Sequence, residues 1–591
     1  MRSLVHLLPY YRRHRLPFWG GIAGLLFARI FEAAIPFFLK QGIDSLAAGE
    51  GALLVPTLGI VGCVVARFLT IIASRRIIRR LGIYVAYDLR KRLYAHLQSM
   101  GPAFFAKHST GDLMARAIND ISLIRQLVGG GTRTVLVLGF SALVGMAFML
   151  YESPELTLMI LPPLPIIAIV AYFLARRIYG LSMQVQTGFS DLTSQVQENL
   201  NGIRTIQALG QEQAEIGRFD RVNDGYTERN YALMHTNSVM AAFMPALGAL
   251  CALSIIGVGG SAVLAGELSI GSFTAFFWYL TMVLWPVREA GSMVNLVQRG
   301  AAACTRVFEI LETPPEIAER QAADVSTANR SLTVESLSYT YPGGQRPALS
   351  DISLDIADGE TVAVIGRVGS GKSTLMRVLV RLLDPPEGSV RVGGTPIEHW
   401  PLPALRDHVA VVPQEPFLFA TSLRENLAYG ASVEDAEDEE HEERILEAAE
   451  CADLRTTLDE LPQGLSTIVG ERGITLSGGQ KQRATLARGL IRDAPVLLLD
   501  DCFSSVDTET EDHILRRLRA RRRGKTTLMV SHRVSTVRHA DRIFVLEQGR
   551  VVESGSHDEL LALGGVYATL ERIQHRKQVR DASLVGEGAP A

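Results

Sequence analysis

Residues 361–379 read TVAVIGRVGSGKSTLMRVL. A strand-like run (361–365) passes straight into a glycine-rich turn and then into a helical pattern. Gly366, Gly371, Lys372 and Ser373 stand at the spacing of a phosphate-binding loop, in the strand–loop–helix setting such a loop needs. Glycines let backbone N–H groups curl around phosphate oxygens, and the helix N-terminus adds positive potential. The stretch expected to hold a nucleotide is Gly366, Arg367, Val368, Gly369, Ser370, Gly371, Lys372, Ser373 and Thr374. Lys372 is placed to reach the outer phosphates and the Ser373 hydroxyl to ligate Mg²⁺.

Further along, VLLLDDCFSSVD (496–507) sets two carboxylates behind four aliphatic side chains. A buried strand ending in an aspartate is what a P-loop nucleotidase uses to hold Mg²⁺, and Asp500 takes that part. Between the two lies LSGGQKQRATLARGL (476–490). Leu476, Ser477, Gly478, Gly479 and Gln480 offer open backbone and a hydroxyl at a helix start, a second phosphate site. One nucleotide cannot occupy two helix N-termini of one domain, so the economical arrangement is a head-to-tail pair in which each domain completes the other's site.

The first half has a different character. TVLVLGFSALVGMAFMLY (134–151) and LTLMILPPLPIIAIVAYFLA (156–175) carry no charge, and each is close to the roughly 20 residues that cross a bilayer as helix. Further candidate spans are 16–39, 52–74, 239–265 and 270–287. RRHR before the first span, ASRRIIRR after the second and ARR after the fourth put both chain ends on the cytoplasmic side. The connections 75–133 and 176–238 then reach into the cytoplasm. RRHR plus the apolar run lacks a small-residue cleavage site and reads as a retained span. Arg29, Glu32 and Arg67 lie inside spans, where charge is costly; they either line a cargo path or pair between helices. A hydrophobic fraction of 47% with mean hydropathy +0.17 is what a membrane half averaged with a soluble half gives.

Basic and acidic residues number 59 and 62, so nothing pulls the whole chain toward nucleic acid. The five cysteines (63, 251, 304, 451, 502) form no CxxC pair, which argues against a disulfide framework or a zinc site. VEDAEDEEHEER (433–444) and RLRARRRGK (517–525) read as solvated surface, and the polar residues 576–591 as a disordered tail.

LSGGQ, the phosphate loop and LLLDD together resemble the ATP-binding cassette (ABC) family, and the likeness runs over essentially the whole chain. Six spans and one cassette are similar to an ABC exporter half-transporter of the bacterial multidrug and lipid type. The resemblance implies an all-α membrane domain (1–310), a linker (311–330) and an α/β P-loop cassette (331–575). It implies ATP and Mg²⁺ as ligands, a second half-transporter as partner, no nucleic acid, and a place in the bacterial plasma (inner) membrane with the cassette cytoplasmic. By the same likeness Tyr341 stacks on adenine, Gln414 (VVPQEPFLF) senses Mg²⁺, and TIVGERG (467–473) touches the intracellular helices. SSVD (504–507) meets the partner cassette and His532 (VSHR) sits near the γ-phosphate, while 104–120 and 197–212 surround coupling helices.

One position departs from the family pattern. After the Mg²⁺ aspartate the family carries a glutamate that polarises the attacking water; here it is Asp501, one methylene and about 1.5 Å shorter. A misplacement of about 1 Å can cost on the order of 10²-fold in rate. With LSGGQ intact, this resembles one half of a heterodimeric exporter with an impaired site of its own. A homodimer in which Asp501 acts as the base, a membrane sensor that binds ATP without pumping, and a soluble ABC-type ATPase are the rivals. Aromatics of the last span (Phe276, Phe277, Trp278, Tyr279, Trp285) suit amphipathic or apolar cargo and lipid packing equally, leaving drugs, lipids and peptides open.

Overall fold

A computed structural model describes residues 2–49, 51–160, 162–317, 329–431, 439–470, 473 and 475–586. It divides into two compact units, Met1–Gln98 with Ser109–Pro314 and Ser99–His108 with Pro315–Ala591.

The first unit is built on six long helices: α1 (Arg15–Ala47), α2 (Leu54–Gln98), α3 (Thr132–Glu152), α4 (Pro163–Asn201), α5 (Glu212–Ser254) and α6 (Ile270–Glu312). Among the described residues five helical stretches are long and apolar enough to cross a membrane; Ile270–Pro286 is a shorter apolar one. The 45 residues of α2 extend about 68 Å at 1.5 Å per residue, roughly twice a hydrocarbon core of about 30 Å. The two charged connections are therefore largely continuations of the spans, because no proline or glycine pair stops the helix where hydropathy falls. Apolar residues such as Leu54 (73% exposed) and Phe68 lie uncovered by protein, as side chains facing lipid do.

Close contact in this unit is made where side chains are smallest. A Cβ on Gly82 of α2 would lie 2.9 Å from the Arg125 carbonyl oxygen and 3.1 Å from the Gly129 nitrogen. This brings α2 against the π-helical segment Leu127–Gly131 at backbone distance. Charged residues fix other helices: Arg306 of α6 grips Asp120 with both ends of its guanidinium fork, and Arg116 holds Asp112 and Glu309. Where α1, α3 and α6 meet, Lys40 donates to Glu152 at 2.6 Å and Ser272 donates to the same oxygen.

The second unit carries two sheets. Strands β1 (Leu332–Tyr339), β2 (Leu349–Ile356), β4 (Val390–Val392) and β5 (Thr395–Pro396) form an antiparallel sheet in the order β2-β1-β4-β5. The larger sheet has the order β10-β9-β3-β8-β7-β6, from β3 (Thr361–Ile365), β6 (Val409–Val412), β7 (Val496–Asp500), β8 (Thr526–Ser531), β9 (Arg542–Glu547) and β10 (Arg550–Gly555). All neighbours there are parallel except β9 and β10. All of β7 and four of the five residues of β3 are buried, which is why both read as unbroken aliphatic runs. Strand β8 lies between them, so β7 approaches the glycine-rich loop from one strand further out.

Three stretches differ from their sequence reading or lie beyond it. Helix α6 runs on to Glu312, inside the expected linker, and residues 318–328 lie outside the described residues. The tail expected to be disordered from 576 continues helical to Gly586, since Arg576–Val585 holds no glycine or proline. Of the acidic run, 433–438 lie outside the described residues, and Glu439–Cys451 is helix.

Gly82→Val would force side-chain atoms against backbone that cannot give. It should destabilise the membrane unit by about 1–3 kcal/mol, seen as a lower thermal unfolding midpoint of the detergent-purified chain, whereas Gly62→Val, which meets nothing within 4 Å, should not.

Candidate functional site

The glycine-rich loop joins β3 to helix α7 (Lys372–Leu379). Gly371 stands at φ +104°, and a Cβ there would lie 2.6 Å from the Ala348 carbonyl oxygen, so only glycine fits. The Lys372 ammonium folds back over the loop, donating to the carbonyls of Gly366 (2.7 Å) and Arg367 (2.8 Å). Burial pulls its pKa below the ordinary lysine value, opposed by Asp501 and Asp500. A cation held by two carbonyls of a glycine-rich loop is a site for an anion to enter. Val368, 94% exposed, covers none of it.

Asp500 ends β7 and accepts a hydrogen bond from Ser373 Oγ at 3.2 Å. Burial raises its pKa, against the Ser373 bond, with the neighbouring Asp501 adding to the rise. A buried carboxylate short of positive charge next to a hydroxyl is a donor set that suits a hard divalent cation completed by phosphate oxygens. Among the described residues no trio of His, Cys, Asp or Glu gathers to hold a metal without other ligands.

Asp501 has a left-handed backbone, φ +47°, unusual for a side chain other than glycine. That turn swings its carboxylate away from Asp500 toward two other loops. His532 Nδ1 lies 2.9 Å from both of its oxygens, and Gln414 Nε2 donates to Oδ2 at 3.3 Å. Burial alone would raise the Asp501 pKa, but the hydrogen bond and charge of His532, with Lys372, hold it below the ordinary range. Asp501 is thus an ionised, well-partnered carboxylate.

Tyr341 turns its hydroxyl to Thr374 Oγ1 at 3.2 Å and its ring edge-on to Tyr339. Ser477 caps helix α8 (Gly478–Ile491) in a capping box with Gln480: Ser477 Oγ accepts from Gln480 N and Gln480 Oε1 from Ser477 N. Leu476 is buried behind it. Of TIVGERG, Glu471 and Arg472 lie outside the described residues.

Three residues that spacing did not single out tie these loops together. Gln482 of α8 donates to Ser504 Oγ and accepts from Ser505 N, each at 2.7 Å, fastening the LSGGQ helix to SSVD. Arg533 donates to the carbonyls of Ser504 and Val506 and to Glu511, fastening SSVD to the loop of His532. Gln574, on helix α9 (Val566–Gly586), donates to the His532 carbonyl at 2.6 Å and accepts from Val534 N at 2.8 Å. Arg533, next to His532, was the one with a sequence signal; a lone glutamine near the chain end carries none.

In the membrane unit, Glu32 bridges Arg29 (2.5 Å) and Arg67 (3.0 Å). The triad pairs between α1 and α2, as the ion-pair reading has it, and also lines a cavity of about 560 Å³. Trp278 and Trp285 line the same cavity, whereas Phe276 and Tyr279 are fully buried among helices and face neither lipid nor cargo.

Comparison with known proteins agrees with these features. The family description "ABC transporter transmembrane region" matches residues 18–287 and "ABC transporter" matches 349–504. A Bacillus subtilis protein named "Probable multidrug resistance ABC transporter ATP-binding/permease protein YheI" is 34% identical, over 98% of each chain. An "ATP-dependent lipid A-core flippase" of Nitrosococcus oceani is 31% identical over 96% of this chain and 95% of its own. Among solved structures, "Structure of a bacterial Atm1-family ABC exporter with ATP bound" superposes with TM-score 0.74 at 27% identity, covering 95% of this chain and 98% of that one.

Gln574→Leu leaves the His532 carbonyl and Val534 N–H without their partner, at a cost of about 1–3 kcal/mol to the local fold. Amide exchange at 532–534 should speed while β7 and β8 keep their protection; unchanged exchange there would show the clamp to be incidental.

Proposed function

This chain is an ABC transporter of the exporter type, a multi-pass membrane protein with a cytoplasmic ATP-hydrolysing cassette, and from that premise we propose that it is one half of a pair with unequal ATP sites. Its own site binds ATP and hydrolyses it poorly, while its LSGGQ segment completes a competent site on a different partner chain. The cargo is amphipathic or apolar and moves outward or between leaflets, in keeping with the multidrug and lipid A-core names of the relatives.

The observation that carries this reading is the double 2.9 Å approach of His532 to Asp501. A general base must come within hydrogen-bond distance of the proton it takes. Asp501, one methylene short of glutamate, uses both oxygens on His532 and one of them on Gln414. A water in front of the γ-phosphate would stand beyond its reach by about the length of the missing methylene.

The other groups keep their parts in this reading. Tyr341 stacks on adenine, Gly366–Thr374 wraps the phosphates, and Lys372 leaves its two carbonyls for the β- and γ-oxygens. Ser373, Asp500 and Gln414 would hold Mg²⁺, which neutralises phosphate charge when bound. His532 contacts the γ-phosphate once Asp501 shares it. ATP thereby glues two cassettes together, and the Gln482–Ser504–Arg533 chain carries the state of one site to the LSGGQ segment serving the other. Closure of the cassettes, passed through the intracellular helices, opens the outward side.

A homodimer in which Asp501 works slowly has one observation in its favour: Gln414, Asp501 and His532 are assembled as in a working site. Co-purification with a tagged chain from its native host should separate the two. The expected result is a second, similar half-transporter with glutamate at the position matching Asp501; recovery of this chain alone as a dimer would contradict the proposal.

A further inference from the structure

The membrane unit holds a second cavity, of about 380 Å³, lined by Arg75, Arg79, Arg125, Arg133 and the backbone of Gly129 and Gly130. Arg75, Arg133 and Thr134 line the first cavity as well, so the two adjoin at these residues. Among the described residues six arginines (29, 67, 75, 79, 125 and 133) border the two cavities, and Glu32 is the one lining carboxylate. Glu32 is already divided between Arg29 and Arg67. Among the described residues neither Arg75 nor Arg133 has a salt-bridge partner.

The arrangement is enforced by packing. Gly82 and Gly129 bring α2 to backbone distance of the Leu127–Gly131 turn, which sets the Arg75–Arg79 face of α2 against Arg125 and Arg133. Helices with larger residues at those glycines would hold the guanidiniums apart. Like charges at the edge of a low-dielectric core repel and are costly to desolvate unless something negative joins them. The described lining supplies one carboxylate, and the apolar wall beside the arginines holds Trp278, Trp285, Leu25, Ile71 and Met282.

We infer that Arg75 and Arg133 form an anion clamp, and that the cargo is an amphiphile carrying a phosphate or carboxylate group. The acidic head bridges the two guanidiniums, bidentate on one or both, while the apolar body lies against the tryptophans. Arg79 and Arg125 stand further along the second cavity and draw the head toward the clamp. The inference rests on the cavity being the cargo site of the proposed exporter. The same head group can belong to an anionic lipid or to a soluble amphipathic acid.

The test uses the purified full-length transporter, with its partner where it has one, in phosphatidylcholine nanodiscs. Dodecyl phosphate and dodecyltrimethylammonium, of equal chain length, are titrated below micelle formation, read by fluorescence of the cavity tryptophans and by ATP turnover. The phosphate should bind at least about tenfold more tightly than the ammonium. Arg75→Gln with Arg133→Gln should remove that preference, and Arg75→Lys with Arg133→Lys should restore most of it. Equal binding of the two probes, or a preference that survives the double Gln variant, would overturn the clamp. If nanodiscs containing phosphatidylglycerol compete with dodecyl phosphate, the bilayer is the source of the cargo; if not, the clamp serves a soluble acid. Binding without any transport would leave the clamp standing and remove the export reading instead.

Discussion

The carboxylate of Asp501 meets His532 and Gln414 because its backbone takes a left-handed turn at the end of β7. Everything around the nucleotide site is arranged on that junction. Asp500, one residue earlier, points the other way, to Ser373 and the phosphate loop. Two adjacent carboxylates thus serve two loops: burial pushes both pKa values up, and it prevails at Asp500, while His532 and Lys372 overcome it at Asp501 and hold that value down. The native side chain stops at the histidine.

From this junction the coupling runs outward through hydrogen bonds rather than apolar contact. Gln574 braces the backbone on both sides of His532, Arg533 reaches to SSVD, and Gln482 continues to the LSGGQ helix. Polar chains of this kind have defined geometry, and breaking one leaves a specific group unsatisfied. They suit a part that must change between two positions without loosening. The membrane unit uses charge in the same economical way: Glu32 shared between two arginines, Glu152 between Lys40 and Ser272.

The sequence displayed some of this and concealed the rest for physical reasons. The phosphate loop was legible because φ +104° at Gly371 and the close Ala348 carbonyl demand glycine, and demands of that kind leave a mark in spacing. Asp500 was legible because a fully buried strand has to be aliphatic up to the residue that leaves it. Hydropathy located the spans but not the helix ends, since lipid stops at the membrane boundary and helix propensity does not. Gln574 and the Arg75–Arg133 junction could not be read, because each depends on distant segments meeting. Gly82 and Gly129, which cause that second meeting, look like ordinary glycines in a helix. The last-span aromatics looked alike on paper, yet two are buried and two line the cavity.

The unequal-site account stands or falls on what Asp501 can do by itself. The direct measurement is steady-state ATP turnover by the purified chain alone, in lipid nanodiscs, beside its Asp501→Glu variant. The account predicts turnover near background for the native chain and a rise on the order of 10²-fold for the glutamate variant, the scale set by about 1 Å of misplacement. Native turnover at about 1–10 s⁻¹, ordinary for an enzyme, with no gain from glutamate, would contradict it and make Asp501 a sufficient base.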